Sequence, residues 1–241
     1  MRIYFASALF NSRETLFNLE LSSRLELGRN GLRHRVLLPQ RDGFEFSSLG
    51  ETLRARLPAA EAETAVQRII YTLDLGGFLS RSDAVVAVLD EPLDEGVLIE
   101  IAYGRRLGLP VVGIRTDSRC PFGSQDDAMG GMHFFAGFQC TRFIRVSPLR
   151  RIEELDELAS GILDALEAES SQGAIAAGKD PRIDHAADRL FEGIDVLEDD
   201  LHSAATIRRI VENYVDSRKL FDDLAPLMGV PHNVEAATAV T

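Results

Sequence analysis

The sequence predicts an α/β fold: a doubly wound parallel sheet of about five strands, extended by a C-terminal helical hairpin. Three observations carry this expectation. Short strand-like runs alternate with helix-like segments through residues 1–170, the pattern of successive βαβ units. The central run, Ala84-Val-Val-Ala-Val88, is apolar at every position, as a strand buried on both faces of a parallel sheet must be. Beyond Ser170 the composition turns to a Ser/Gly/Ala stretch followed by two helical stripes.

Residues 2–6 read as the first strand and residues 12–27 as a helix, with Leu16, Phe17, Leu19, Leu21 and Leu25 at helical spacing and Ser12 as its N-cap. Residues 34–38 form a second strand, stopped by Pro39, which has no amide hydrogen to give a sheet. Residues 61–79 read as one helix with Ala65, Ile69, Leu73 and Phe78 on a face, and residues 84–89 as the third strand. A helix over 96–107 ends at Gly108, followed by strands over 110–114 and 143–146 and a helix over 148–167. Together these make a flavodoxin-like or Rossmann-like domain over residues 1–170. Residues 171–180 read as a linker. Over 181–228 a hairpin is expected. Pro181 opens a helix running to Leu201, and His202-Ser203 breaks it and caps a second helix carrying Ile207, Ile210, Val211 and Tyr214. Two helices alone enclose little apolar volume, so the hairpin is expected to dock on the α/β domain or on another subunit. Residues 229–241 read as a loose tail.

The net charge of −12 opposes a nucleic-acid partner, whose phosphates require clustered Lys and Arg. No apolar run approaches the roughly 18 residues of a membrane span. The chain also enters a strand pattern at its first residues without a signal-peptide core. Cys120 and Cys140 have no metal-ligand spacing around them. The expectation is a cytoplasmic protein with reduced thiols, no metal and no cofactor.

The chemistry-bearing residues gather around the central strand: Asp74 and Asp83 before it, and Asp90, Asp94 and Glu100 after it. Asp83 lies at the strand's N-terminal end, away from the ligand edge, and reads as a turn or cap. Asp90 and Glu91 flank Pro92 as turn residues. Asp94, Gly96 and Glu100 lie where a strand ends and a helix begins, the edge at which open α/β sheets bind ligands. Paired carboxylates there suit glycosyl chemistry, one attacking or stabilising an anomeric carbon and another positioning a hydroxyl or moving a proton. The same acids also complement a helix dipole without any catalytic use.

Further motifs bear on this choice. Ile3-Tyr-Phe-Ala-Ser-Ala-Leu-Phe10, Pro39-Gln-Arg-Asp-Gly43, Asp74-Leu-Gly-Gly-Phe, Ser82-Asp-Ala-Val-Val-Ala-Val-Leu-Asp90 and Asp94-x-Gly96-x-x-x-Glu100-Ile-Ala-Tyr103 follow one another along residues 2 to about 116. In this order they resemble the nucleoside 2-deoxyribosyltransferase family. The resemblance implies that Glu100 attacks C1′ to form a 2-deoxyribosyl ester and that Asp94 hydrogen-bonds the 5′-hydroxyl. Asp74 would contact the nucleobase and protonate its leaving nitrogen. It further implies that Gln40 reads a base edge, Tyr4 orients Glu100 through its hydroxyl, Phe10 walls the base pocket and Gly96 makes the tight turn. The implied partners are a 2-deoxyribonucleoside and a free nucleobase, with the chain as a homo-oligomer. A helix N-terminal turn would help keep Glu100 ionised, and burial would raise Asp74 towards a useful proton donor.

The chain departs from the family in several places. Gly96 is followed by Val97 where the family commonly has Thr. The segment from Cys120 to Phe135 contains no Asn to lend to a neighbouring sugar pocket, with Gln125, Asp127, Met129 and His133 as the available substitutes. The Gly-rich stretch over 123–137 is expected as a mobile loop near the site. A relative that hydrolyses 2-deoxynucleoside 5′-monophosphates carries a small hydroxyl residue at the position of Asp94. A carboxylate there would repel a phosphate and accept from a free 5′-hydroxyl. Besides base exchange, the sequence leaves open N-glycoside hydrolysis, a nucleoside- or nucleotide-sensing module, and a flavodoxin-like scaffold with acidic loops.

Overall fold

Apolar residues at alternate positions send the two sides of each strand into two separate cores. In β1 (Arg2–Ala6) Tyr4 and Ala6 face one core, and Ile3 and Phe5 face the other. The computed structural model describes residues 1–28, 33–124, 126–127, 130–146, 148–170 and 181–224. β1, β2 (Arg35–Leu37), β3 (Ala84–Val88), β4 (Val111–Arg115) and β5 (Arg142–Arg145) form one parallel sheet in the order β2-β1-β3-β4-β5. This is the doubly wound arrangement expected from the alternation of strands and helices.

One face is covered by α1 (Ser12–Leu27), together with a helix near residue 160 described below, through Leu21, Leu25, Leu158 and Ile162. The other is covered by α4 (Ala59–Thr72) and α5 (Glu95–Arg106), with α3 (Phe46–Arg54) at the side of α4. Between these, α2 (Pro39–Asp42) is a single turn after β2. Residues 134–137 form a further short helix, α6 (Phe134–Gly137), and α7 (Glu154–Ser170) supplies Leu158 and Ile162. The C-terminal helices α8 (Pro181–Leu190) and α9 (Ala204–Leu224) join the α4–α5 side. There Leu190, Phe191, Val196, Ile207, Ile210 and Tyr214 are buried in the same core as Tyr4 and Val85. The hairpin thus docks on the α/β unit, as its single apolar stripes require.

Several boundaries differ from those expected. Asn11, not Ser12, caps α1, its side chain accepting from the amides of Arg13 and Glu14. Pro39 ends β2 by opening α2, where its lack of an amide hydrogen costs nothing. α3 was not expected from the sequence pattern: it is short, and its apolar residues Leu49 and Leu53 give barely one repeat. The helix expected over 61–79 stops at Thr72. It continues as a π-turn over Leu73–Phe78 and a 3-10 turn over Leu79–Arg81. The helix expected from residue 148 starts at Glu154. The helix expected to reach Leu201 ends at Leu190, because Gly193 turns the chain at φ +78°, a conformation only glycine adopts freely. Ser203 does cap α9, its hydroxyl accepting from the Thr206 amide. Asp83 holds the start of β1, accepting from the Arg2 amide at 2.7 Å. The expected linker over 171–180 and tail over 229–241 lie outside the described residues. No described helix is long and apolar enough to cross a membrane.

Candidate active site

The chain leaves β1 towards α1 on one face of the sheet and leaves the adjacent β3 towards α5 on the other. Neighbouring strands whose connections diverge open a crevice at their C-terminal ends. There the structure holds a cavity of about 230 Å³, lined among others by Phe10, Gln40, Phe44, Phe46, Asp74, Asp94, Gly96 and Glu100. Five segments supply these side chains: the loop after β1, α2 with the loop behind it, the start of α3, the π-turn after α4, and the start of α5.

Asp94 is the N-cap of α5, and its Oδ1 accepts from the Val97 amide at 2.8 Å. Its other carboxylate oxygen makes no hydrogen bond within the described residues and is available to a ligand hydroxyl. A Cβ at Gly96 would lie 3.0 Å from the capping oxygen, so the glycine keeps this corner open. Glu100 lies further along α5. Helical residues begin at Glu95, which makes Glu100 the sixth and places it beyond the first turn, where the helix dipole acts. The expectation that the helix N-terminus keeps Glu100 ionised therefore fails. What favours the carboxylate is Tyr4, whose hydroxyl donates to Glu100 Oε1 at 2.7 Å from the floor of the sheet.

Electrostatics inside the cavity favour protonation. Burial pushes Asp74 up to about 7 from its ordinary 3.8. Burial also raises Glu100 well above the ordinary glutamate range, with the charges of Asp74 and Asp94 adding to it and the Tyr4 hydrogen bond opposing it. Tyr4 is fully buried and its hydroxyl is held far from ionisation, by burial first and then by the charges of Glu100 and Asp74. Two carboxyls facing each other in a low dielectric cannot readily both be charged. A proton on Asp74 removes the largest like charge acting on Glu100. The site therefore favours one proton shared between the Asp74 and Glu100 carboxyls, with the Tyr4 hydrogen bond favouring the charge on Glu100.

Gln40 lines the cavity while its amide is anchored to α1: Oε1 accepts from Asn18 Nδ2 at 2.9 Å, and Nε2 donates to the Thr15 carbonyl at 3.0 Å. Each amide atom retains one further hydrogen-bonding position for a ligand. Phe10 lines the cavity at its mouth and is 79% exposed. Arg41 and Asp42 pair with each other, and Glu26 joins them. Asp90 serves the loop after β4, accepting from the Thr116 amide and hydroxyl at 2.6 Å each.

Sequence reasoning missed Phe44, Phe46 and Asn18. Phe44 and Phe46 bring aromatic faces to the cavity, and the signal available was two aromatics directly after the Gly43 turn. Asn18 is buried and fixes Gln40. A lone Asn among the apolar positions of an amphipathic helix could have marked it. None of the described residues after β4 lines this cavity, although Thr116 and Arg119 line an adjoining pocket that shares Asp94 with it. Asp127 closes a local turn by accepting from the Ser124 and Gly131 amides, and His133 caps α6 within a group of phenylalanines. Gln125 and Met129 fall outside the described residues.

The profile of the nucleoside 2-deoxyribosyltransferase family matches residues 3–133 of this chain. The crystal structure of a conserved protein from Enterococcus faecalis V583 is 24% identical, with a TM-score of 0.40, covering 67% of this chain and 98% of its own. No curated protein matches the chain.

Proposed function

Because the chain belongs to the nucleoside 2-deoxyribosyltransferase family, we propose that it exchanges nucleobases on 2-deoxyribose through a covalent intermediate on Glu100. The observation that carries this reading is the convergence of Glu100, Asp74, Asp94 and Gln40 on one cavity, with Tyr4 bonded to Glu100.

Glu100 acts as the carboxylate nucleophile. One of its oxygens bonds to C1′ of the nucleoside as the C1′–N bond breaks, and the electron pair of that bond leaves with the base. The proton of Asp74 passes to the departing nitrogen, which makes a neutral base a competent leaving group. In the second half the nitrogen of an incoming base attacks C1′. The ester bond breaks to regenerate the Glu100 carboxylate, and the N–H proton of the new base returns to Asp74. Two displacements at C1′ retain its configuration.

The remaining groups bind. The free oxygen of Asp94 accepts from the 5′-hydroxyl, and its negative charge disfavours a 5′-phosphate. Gln40 offers one donor and one acceptor to the base edge, while Phe10, Phe44 and Phe46 give its faces apolar cover. A half-buried amide held in one orientation disfavours a mismatched base, because its remaining donor and acceptor would be left unpaired.

The test is intact-mass measurement of the protein mixed with 2′-deoxyinosine. The expected result is an added 2-deoxyribosyl group that a second base removes as a new nucleoside and that Glu100→Ala never forms. Free 2-deoxyribose released equally fast with and without acceptor base would instead identify a hydrolase. Binding of the nucleoside with neither adduct nor base release would identify a sensing module.

A further inference from the structure

The π-turn that presents Asp74 is a rare backbone form that needs support from outside itself. The Leu79 amide closes it by donating to the carbonyl of Asp74, five residues back, and to that of Leu75. Beyond this ladder Leu73 of the turn itself packs on Gly77, its Cδ1 2.9 Å from where a Cβ would lie, and α5 touches the turn; the remaining support comes from the C-terminal part of the chain. A Cβ placed on Gly77 would meet Phe191 Cε2 at 3.4 Å and Val196 Cγ2 at 3.7 Å, so these two side chains lie against the backbone of the turn. Both are buried at 3% exposure. They reach the same spot because Gly193, at φ +78°, folds the chain back between them. Asn213 of α9 fixes that reversal, its Nδ2 donating to the carbonyls of Leu190 and Glu192.

The same segment reaches the second base-side element. The Nε2 of His202 donates to the carbonyl of Arg41 at 3.0 Å, one residue after Gln40. α9 lies along α3, the helix that begins at Phe46. Glu100 and Asp94, in contrast, sit on α5 and depend on β1 and their own helix for position.

We infer that the C-terminal helices set the base half of the site: Phe191 and Val196 are positioning residues that hold the Gly77 turn and with it Asp74, and His202 holds the turn that carries Gln40. This rests on the role proposed above for Asp74 as proton donor to the base. The titratable groups facing Asp74 are Glu100 from α5 and Tyr4 from β1, with Asp94 acting in turn on Glu100. From the loop after α8 come the carbon side chains of Phe191 and Val196. Their removal would open space for water behind the Gly77 turn that carries Asp74, and lesser burial there would lower the Asp74 carboxyl.

The experiment uses the full chain and three variants, Phe191→Ala, Phe191→Leu and Val196→Ala. Titration of the Asp74 carboxyl is followed by infrared difference against Asp74→Asn, beside the pH profile of base release from 2′-deoxyinosine and the thermal midpoint. The Ala variants are expected to lower the Asp74 midpoint by about one pH unit and to move the alkaline limb of base release with it, about a tenfold loss of rate there. Phe191→Leu, which refills the space, is expected to restore both. Thermal midpoints that fall while the Asp74 titration and the pH profile stay unchanged would overturn the inference and leave the helices a purely stabilising role. A wild-type Asp74 that titrates as an ordinary aspartate would overturn it as well. If Phe191→Ala does not fold, the smaller truncation Val196→Ala carries the same comparison. The carboxyl titration is read without turnover, so a protein that releases no base defeats the proposed function while the positioning inference is still decided.

Discussion

The hydroxyl of Tyr4 donates to Oε1 of Glu100 at 2.7 Å, joining the floor of the sheet to the second turn of α5 across 96 residues of sequence. A hydrogen bond to a charged acceptor is worth about 1.5–3 kcal/mol. Here it is the contribution that lowers the Glu100 pKa against burial and the charges of Asp74 and Asp94. Tyr4→Phe should therefore raise the Glu100 pKa further. The acid limb of the pH–rate profile would move to higher pH, and the rate of adduct formation at neutral pH would drop about tenfold or more. Stopped-flow base release across pH measures both. An acid limb that does not move would show that the hydroxyl serves packing alone.

Glu100→Gln keeps the size of the side chain and removes the nucleophile. Rapid-quench mass measurement should detect no 2-deoxyribosyl adduct, and turnover should fall on the order of 10³-fold or more. Nucleoside binding measured by calorimetry should persist, since Asp94 and Gln40 remain in place. An adduct in this variant would move the nucleophile elsewhere.

Asp74 gives a prediction of opposite sign for activity and stability. Its folded-state pKa is raised to about 7 from 3.8, so the folded protein retains a proton that the unfolded chain has lost between these values. Stability therefore falls as pH rises from about 4 to about 7, and the deficit stays constant above that. Asp74→Asn removes the deficit. At pH 8 the variant should be more stable than wild type, on the order of 2–4 kcal/mol, and at pH 3.5 the gain should vanish. Base release should fall about 10²–10⁴-fold and lose its alkaline limb. Urea unfolding at the two pH values checks the first part, and the rate profile checks the second.

Asp94 both caps α5 and offers an oxygen to the sugar. Asp94→Ala loses both roles: about 1 kcal/mol of stability and a raised KM for 2-deoxyribonucleosides. Asp94→Ser keeps the cap within a few tenths of a kcal/mol while removing the charge that repels phosphate. The preference for nucleoside over its 5′-monophosphate, as a ratio of kcat/KM, should narrow about tenfold in the Ser variant. A ratio equal to that of wild type would place the 5′-discrimination at another residue.

Periodicity in the sequence reports how a segment buries its own face, and it was sufficient for the strands, for α1 and α5, for the first part of α4, and for the parallel sheet that their alternation implies. It also put Asp94 and Glu100 together, because the two are separated by a fixed helical rise within one element. It missed α3, whose single repeat of apolar residues is too short to read. It also missed the π-turn, where one extra residue in the ladder shifts the phase that the pattern depends on.

Contacts between distant segments were decided only in the folded molecule. The strand pattern alone could not reach the contact of Tyr4 with Glu100, which the family resemblance implied and which the pairing of β1 with β3 makes possible. The resemblance implied a base-reading Gln40, but the anchoring of its amide by Asn18 on α1 came only with the fold. The raised pKa of Asp74 comes from burial that the folded chain assembles around it. Element type and local spacing follow from interactions a few residues apart, which a linear pattern can carry. Desolvation and hydrogen-bond partners are sums over segments that only chain closure brings together.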